Sequence, residues 1–165
     1  MRTSQLGTLL RRLQEALDAS VETAYRDAGL AFRPRYTAVV RPLLERGPMR
    51  IRGLADLTGL SHSALSQTVA QLEKQGWVEL RPGQDRRERI VHPTAEALLR
   101  EPALRRQWEI TAAAAADLDA ELPHALEPLL AQALDALSRE SFAERLRRCA
   151  LVYGPGNPHR SSSTP

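Results

Sequence analysis

The length of 165 residues fits one domain, or one small domain plus an appended assembly element. The chain is 42% hydrophobic, enough for a core, and its 4% aromatic content predicts a core of Leu, Ala and Val. Its single cysteine, Cys149, excludes an internal disulfide framework and a multi-cysteine zinc site. The formal net charge of +3 is uneven, because residues 1–50 contain nine arginines against five acids while residues 101–165 contain seven basic residues against nine acids, so a negatively charged partner is expected to meet the N-terminal two-thirds.

The N-terminal part is predicted to be helical. Apolar residues recur at helical spacing from about Thr3 to Asp27, which predicts a long first helix, and Gly29 suits its C-terminal cap. A second helix is predicted from Pro34 to Arg46, bent at Pro42 because proline lacks a backbone N–H. A short strand over Met49-Arg50-Ile51 follows.

The next two predicted helices are short and separated by a glycine. Leu54 to Thr58 is predicted as the third helix, and Gly59 makes the turn. Ser61 is a suitable N-cap for a fourth helix from His62 to Gln75, because its hydroxyl can accept a bond from a free backbone N–H of the first turn. Two helices around a tight turn indicate a helix-turn-helix unit.

A β-hairpin is predicted directly after the fourth helix. Its strands are Trp77 to Arg81 and Arg87 to Val91. Thr94 is then predicted to cap a long Ala- and Leu-rich helix that reaches about Asp119.

Prolines and a capping motif divide the C-terminal part. Pro123 and Pro128 predict either a break or the first turns of a last helical region. Ser141 and Glu144 have the spacing of a capping box, which predicts a short helix from Phe142 to about Val152.

The order of elements predicts a mainly α fold with a small β-hairpin: a winged helix-turn-helix domain flanked by long N- and C-terminal dimerisation helices. We divide the chain into an N-terminal dimerisation helix (1–30), a winged helix-turn-helix DNA-binding domain (34–93), C-terminal dimerisation helices (94–152) and a disordered tail (153–165). The flanking helices are too long and too apolar to be covered by a module of this size. A second copy of the chain is the simplest partner for them.

The fourth predicted helix has one polar face. Leu65, Val69 and Leu72 lie at core spacing, and the opposite face offers hydroxyls, carboxamides and an imidazole that can bind the base edges and phosphates of double-stranded DNA. An ordinary solvated helix face is the alternative interpretation. The candidate recognition residues are Ser61, His62, Ser63, Ser66, Gln67 and Gln71.

The tip of the predicted hairpin contains Asp85, Arg86 and Arg87. A guanidinium at a hairpin tip can enter a narrow minor groove, where negative potential is concentrated, and a nearby carboxylate can orient it. A generic polar turn is the alternative. A polar helix followed by a basic hairpin tip favours DNA binding.

From about Arg35 to Leu99 the chain resembles the multiple-antibiotic-resistance regulator (MarR) family of winged-helix transcription factors. The matching segments are Leu-Ala at 54–55, Gly-Leu-Ser at 59–61, Leu-Glu-Lys-Gln-Gly-Trp-Val at 72–78, Asp-Arg-Arg at 85–87 and Thr94. The resemblance implies a homodimer that binds a pseudo-palindromic operator, usually as a repressor. It also implies that Asp85 pairs with Arg87 and that Arg87 points towards the minor groove.

Many members of that family bind small aromatic anions in a cleft between the DNA-reading domain and the dimer helices. Arg33, Arg35, Tyr36 and Trp108 could line such a cleft here, because cations and ring donors suit a phenolic carboxylate. Solvated arginines beside ordinary packing rings are the alternative. A small aromatic or anionic effector is therefore a hypothesis for a further partner.

Other function classes lack support in the sequence. A nucleophile elbow, a phosphate-binding glycine loop, paired buried carboxylates and a metal triad are not found, so we predict no enzyme, no catalytic residues, no metal and no cofactor. Cys149 is interpreted as a small buried apolar residue. The first residues lack the pattern of a signal peptide, and no apolar run is long enough for a membrane span, so a cytoplasmic protein without a membrane partner is expected.

One alternative from another class is a winged helix that serves only as a protein-interaction or scaffolding module. Such a module would be expected to present apolar anchors on the helix face and the wing. This sequence places Ser, Gln and Arg there instead.

Overall fold

Seven α-helices and a three-stranded antiparallel sheet make up the part of the chain that the computed structural model describes, residues 4–83 and 88–153. The order of elements confirms the predicted winged helix-turn-helix with long terminal helices. In chain order they are α1 (Leu6–Asp27), a 3-10 turn (Pro34–Tyr36), α2 (Thr37–Arg46), β1 (Met49–Arg50), α3 (Ile51–Thr58), α4 (His62–Lys74), β2 (Val78–Pro82), β3 (Arg89–Pro93), α5 (Ala95–Ala120), α6 (Leu126–Arg139) and α7 (Phe142–Tyr153).

The sheet has the order β1-β3-β2, so the short strand before α3 pairs with the second strand of the hairpin. Val91 is opposite both Met49 and Leu80 in the register. Val91 is fully buried, and it joins the sheet to the core. This pairing fixes the hairpin next to the helix-turn-helix unit.

The core contains mostly the Leu, Val and Ala residues that the composition predicts, twelve of the sixteen buried hydrophobic residues among those described, but an aromatic cluster lies at its centre. The ring of Phe32 lies 4.9 Å from that of Tyr25, 5.6 Å from Tyr36 and 4.9 Å from Trp77, centroid to centroid. The Trp77 indole N–H donates to the Ala31 carbonyl at 3.1 Å. Composition counts the aromatic residues but not their positions, and here large rings fill the junction where several segments meet.

The first hairpin strand begins one residue later than predicted, because Trp77 still belongs to the end of α4. Gly76 has a φ of 74°, and the backbone N–H of Trp77 donates to the Leu72 carbonyl at 2.9 Å. This 6→1 bond around a left-handed glycine is a Schellman motif. The first strand therefore starts at Val78, and the second begins at Arg89.

The third helix, in contrast, begins three residues earlier than predicted. Ile51, expected in the short strand, is the first residue of α3. Only Met49 and Arg50 pair with β3, so the backbone is free to turn into a helix at the next residue. The predicted strand is thus reduced to two residues.

A polar contact joins three helices at the edge of the core. The Trp108 indole N–H in α5 donates to the Tyr25 hydroxyl in α1 at 3.0 Å. That hydroxyl lies 3.3 Å from the hydroxyl oxygen of Thr37 in α2. The Arg41 guanidinium lies 5.5 Å from the centroid of the Trp108 ring. Because Tyr25 is only 1% exposed, its hydroxyl needs these partners.

The chain divides into two units, Met1–Ala113 and Ala114–Pro165. Every buried residue among the described ones belongs to the first unit, and no described side chain between 114 and 152 is buried. Cys149 is exposed in this chain, so the prediction that it is buried was wrong. Among residues 4–83 and 88–153, no helix combines the length and apolarity needed to cross a membrane.

The capping box predicted before the last helix is present. The Glu144 carboxylate accepts from the hydroxyl of Ser141 at 2.7 Å and from its backbone N–H at 2.8 Å. The hydroxyl bond, followed by the backbone bond, holds the pKa of the Glu144 carboxyl below its usual range. The stabilisation is therefore present above the ordinary carboxyl pKa and is lost as the pH falls through the lowered value.

Replacing Tyr25 with Phe tests the polar contact among the three helices. The Trp108 N–H loses its acceptor, so we expect the free energy of unfolding to fall by about 1–2 kcal/mol. Urea denaturation followed by tryptophan fluorescence measures the change. Tyr36→Phe is the matched control, since the Tyr36 hydroxyl has no hydrogen-bond partner among the described residues. Equal losses in both variants would mean that the contact contributes nothing.

Candidate nucleic-acid interface

Helix α4 is fixed at its N-terminus by a side-chain cap and along one face by the core. The Ser61 hydroxyl accepts from the backbone N–H of Ala64 at 3.2 Å, as predicted for this N-cap. Leu65, Val69 and Leu72 are at most 1% exposed. The helix is therefore held in one rotation about its axis, and its opposite face is turned outwards.

The outward face presents small and amide side chains. Ser63, Gln67 and Ala70 are exposed and lie opposite the buried face. Hydroxyl and carboxamide groups are able both to donate to and to accept from base edges. Ala70 leaves space for a close approach of the backbone.

Two of the predicted recognition residues bond to each other. The Ser66 hydroxyl lies 3.3 Å from the Nδ1 atom of His62, one helical turn earlier. Ser66 is half-buried, whereas His62 is exposed. In this arrangement His62 is the more accessible of the two to a partner.

Gln71, another predicted recognition residue, contacts an arginine from outside the helix. Its side-chain oxygen accepts from the Arg35 guanidinium. Arg35 also lies over the ring of Tyr36, with its Cζ atom 5.5 Å from the centroid. Arg35, which the sequence predicts for a ligand cleft, therefore also borders the polar face of α4. No local spacing reveals this contact, because 36 positions separate the two residues.

Lys74 also belongs to this surface, although the sequence analysis did not include it. It is exposed and lies seven residues after Gln67, so both residues lie on one stripe of α4. It is also the one lysine in the sequence. Helical spacing alone could have identified it.

The C-terminus of α4 is tied to the start of α5 by one hydroxyl. The Thr94 hydroxyl donates to the Gly76 carbonyl at 2.6 Å and accepts from the backbone N–H of Ala97 at 3.1 Å. The predicted N-cap role of Thr94 is confirmed. The same side chain also satisfies a carbonyl beyond the end of the recognition helix.

The wing residues Asp85, Arg86 and Arg87 lie outside the described residues. The base of the hairpin is described. There the backbone N–H of Gly83 donates to the Glu88 carbonyl at 2.8 Å, and the Arg50 guanidinium pairs with the Glu88 carboxylate at 2.6 Å. The base of the wing is therefore joined to the strand before α3.

Three of the four residues predicted for a ligand cleft line a shallow depression of about 340 Å³ beside α4. The lining residues are Arg33, Arg35, Tyr36, Gln71, Lys74 and Gln75. Trp108 is not among them, and its N–H donates to the Tyr25 hydroxyl. The lining contains three basic residues and no acidic residue, so the depression favours a negatively charged group.

Taken together, these side chains can bind the charged groups of a polyanion and hydrogen-bond to the uncharged polar groups that lie between them. Within the described ranges, no three His, Cys, Asp or Glu side chains form a group that could hold a metal ion. The fold and this surface define the class of the protein as winged helix-turn-helix.

Comparison with known families identifies the type of winged helix. Residues 36–88 match the sequence model of the MarR family. The resemblance seen in the sequence is thereby confirmed over these residues, which run from the end of the 3-10 turn to the base of the hairpin. Comparison with curated proteins gives no significant match.

Solved structures share the fold over most of their length. A probable transcriptional regulator from Pseudomonas aeruginosa is 25% identical, with a TM-score of 0.62, over 78% of this chain and 96% of that chain. Overoxidized AbfR, solved bound to DNA, is 19% identical, with a TM-score of 0.63, over 82% and 91%. BpsR of Bordetella bronchiseptica, whose DNA binding is regulated by 6-hydroxynicotinic acid, is 16% identical, with a TM-score of 0.63, over 84% and 96%.

Replacing Thr94 with Val tests the tie between α4 and α5. Removing the hydroxyl leaves the Ala97 N–H without its cap and the Gly76 carbonyl without its donor, so we expect a loss of about 1–2 kcal/mol in the free energy of unfolding. Thr94→Ser is the control, because it keeps the hydroxyl. Urea denaturation compares the two variants with the wild type. A valine variant as stable as the serine variant would contradict the assigned role.

Proposed function

We propose that the protein is a transcriptional regulator that binds double-stranded DNA as a homodimer, and that its bound state represses transcription. The observation that carries this proposal is the exposed polar face of α4 on a winged helix of the MarR type. That face contains the hydroxyl and amide groups that can distinguish base pairs in a major groove.

The geometry of α4 suits insertion into a major groove. Ser63 and Gln67 in its N-terminal half are exposed, and its N-terminus is capped by Ser61. Free backbone N–H groups at a helix N-terminus favour a phosphate. In a two-fold dimer the two helices would enter successive major grooves about 34 Å apart. Arg87 of each wing is proposed to reach the adjacent minor groove.

The second unit supports assembly with another copy. None of its described side chains up to residue 152 is buried. On α6 the apolar residues Leu126, Leu129, Leu130, Ala133, Leu134 and Leu137 follow the 3-4 spacing of one helix face. A continuous apolar face on a helix without a core of its own requires a partner, and an identical chain offers a matching face.

A small anionic effector is proposed as a further partner. The depression next to α4 has three basic residues in its lining and shares Gln71 with the recognition face. An anion in this position would lie next to the DNA-binding residues. Its effect on DNA binding would depend on its relative affinity for the free and the DNA-bound states.

Selection from random duplexes, followed by a salt titration on the best one, tests DNA reading directly. Several phosphate contacts release counterions, so we expect at least about a 100-fold loss of affinity between about 50 and 200 mM salt. Gln67→Ala should weaken binding to the selected duplex about tenfold and broaden the selected sequence, because one amide reader is lost.

Gln132→Ala is the matched control, since it removes the same side chain from the exposed polar face of α6. Salt-independent association, or no binding to any duplex at low salt, would favour the alternative of a protein-interaction or scaffolding module. Equal affinity and equal sequence preference in the two alanine variants would contradict base reading by Gln67, but not DNA binding by the protein.

Replacing Leu130 with Glu tests the assembly. A charge on the apolar face of α6 would have to be desolvated in the dimer, so we expect the dimer to dissociate at concentrations where the wild type stays intact. Sedimentation velocity measures the mass. Gln132→Glu introduces the same charge on the polar face and should leave the dimer unchanged. A wild-type chain that is monomeric at all concentrations would refute the dimer itself.

A further inference from the structure

The pairing of Arg35 with Gln71 has a chemical consequence for DNA reading. Arg35 lies in the 3-10 turn before α2, and its guanidinium donates to the side-chain oxygen of Gln71 on α4. The Tyr36 ring, next to Arg35, is only 1% exposed, so it is a fixed platform under the guanidinium. The side chains of Arg35 and Gln71 are both exposed to solvent.

The chemistry of the guanidinium determines how the amide is oriented. Arginine has five N–H donors and no acceptor, so an amide that bonds to it must present its oxygen. The Gln71 nitrogen then points away from Arg35, and no described residue accepts a hydrogen bond from it. In this state the accessible end of Gln71 is a donor only.

We propose that Arg35 is a positioning residue that makes Gln71 a donor-only reader of DNA, an inference that depends on the proposed function. A free glutamine can pair with adenine through both its oxygen and its nitrogen. With its oxygen engaged by Arg35, Gln71 presents its nitrogen to the duplex, so it selects an acceptor atom there: guanine O6 or N7, adenine N7, thymine O4, or a phosphate oxygen.

Arg33 provides a matched comparison. It is an exposed arginine two residues from Arg35, and its guanidinium lies 3.9 Å from the Glu22 carboxylate rather than against Gln71. Arg33→Met and Arg35→Met remove the same charge and keep an apolar stem of similar length. A stem at position 35 can still cover the Tyr36 ring, so the fold is preserved.

The first test needs no DNA. In the free protein, the side-chain amide signal of Gln71 should shift in Arg35→Met and stay unchanged in Arg33→Met. Two-dimensional NMR of the nitrogen-labelled protein gives this comparison, with Gln71→Ala identifying the signal. An unchanged signal in Arg35→Met would overturn the pairing.

The second test is a double-mutant cycle on the duplex selected by the wild type. Arg35→Met and Gln71→Ala should each weaken binding about tenfold. The double variant should be no weaker than the poorer single variant, because Arg35 acts through Gln71. Arg33→Met combined with Gln71→Ala should give the product of the two single effects. Multiplicative effects in both cycles would overturn the positioning role.

Selection from random duplexes identifies the acceptor. If it is a base atom, Arg35→Met should gain a preference for adenine at one position in each half-site, because the amide oxygen is released. If it is a phosphate oxygen, the selected sequence should stay the same while every duplex binds more weakly. Failure of the wild type to bind any duplex would refute the proposed function, whereas binding with Arg35→Met equal to Arg33→Met would refute only this inference.

Discussion

Burial of the Trp77 side chain is the constraint on which the arrangement of the winged helix depends. The indole is 1% exposed, packs on Phe32 at 4.9 Å and donates to the Ala31 carbonyl. Its backbone closes the Schellman turn of α4, and the next residue begins β2. One residue therefore connects the end of α4, the first strand of the hairpin and the segment between α1 and α2. The Arg100 guanidinium covers the ring from α5.

This connection matters for DNA reading because specificity needs a helix that keeps its orientation. Ser61 holds the N-terminus of α4, Leu65 and Val69 fix its rotation, and Trp77 fixes its C-terminus. The exposed amides and hydroxyls are thus carried by a rigid element. Gln71 is further restricted by Arg35. The packing constraints thus extend from the buried core to the exposed groups that would contact a base.

Local signals in the sequence predicted the helices, the Ser61 and Thr94 caps and the buried face of α4, because each depends on residues within one or two turns. The contact between Arg35 and Gln71 and the aromatic cluster around Phe32 depend on tertiary packing, and no spacing reveals them. The prediction that Cys149 is buried requires a core around it, and no described side chain from 114 to 152 is buried. Lys74 lies outside the predicted set, although its seven-residue spacing from Gln67 in the sequence places it on the same stripe of the helix.

The exposed apolar face of α6 also bears on how the stability of the fold depends on protein concentration. If a second chain covers that face, folding of the second unit and association of the chains are one coupled equilibrium. The thermal midpoint would then rise with protein concentration, and dilution would expose leucines to water. If each copy also contributes one DNA-binding head, as proposed, the occupancy of a two-site duplex would depend on the square of the monomer concentration at low abundance.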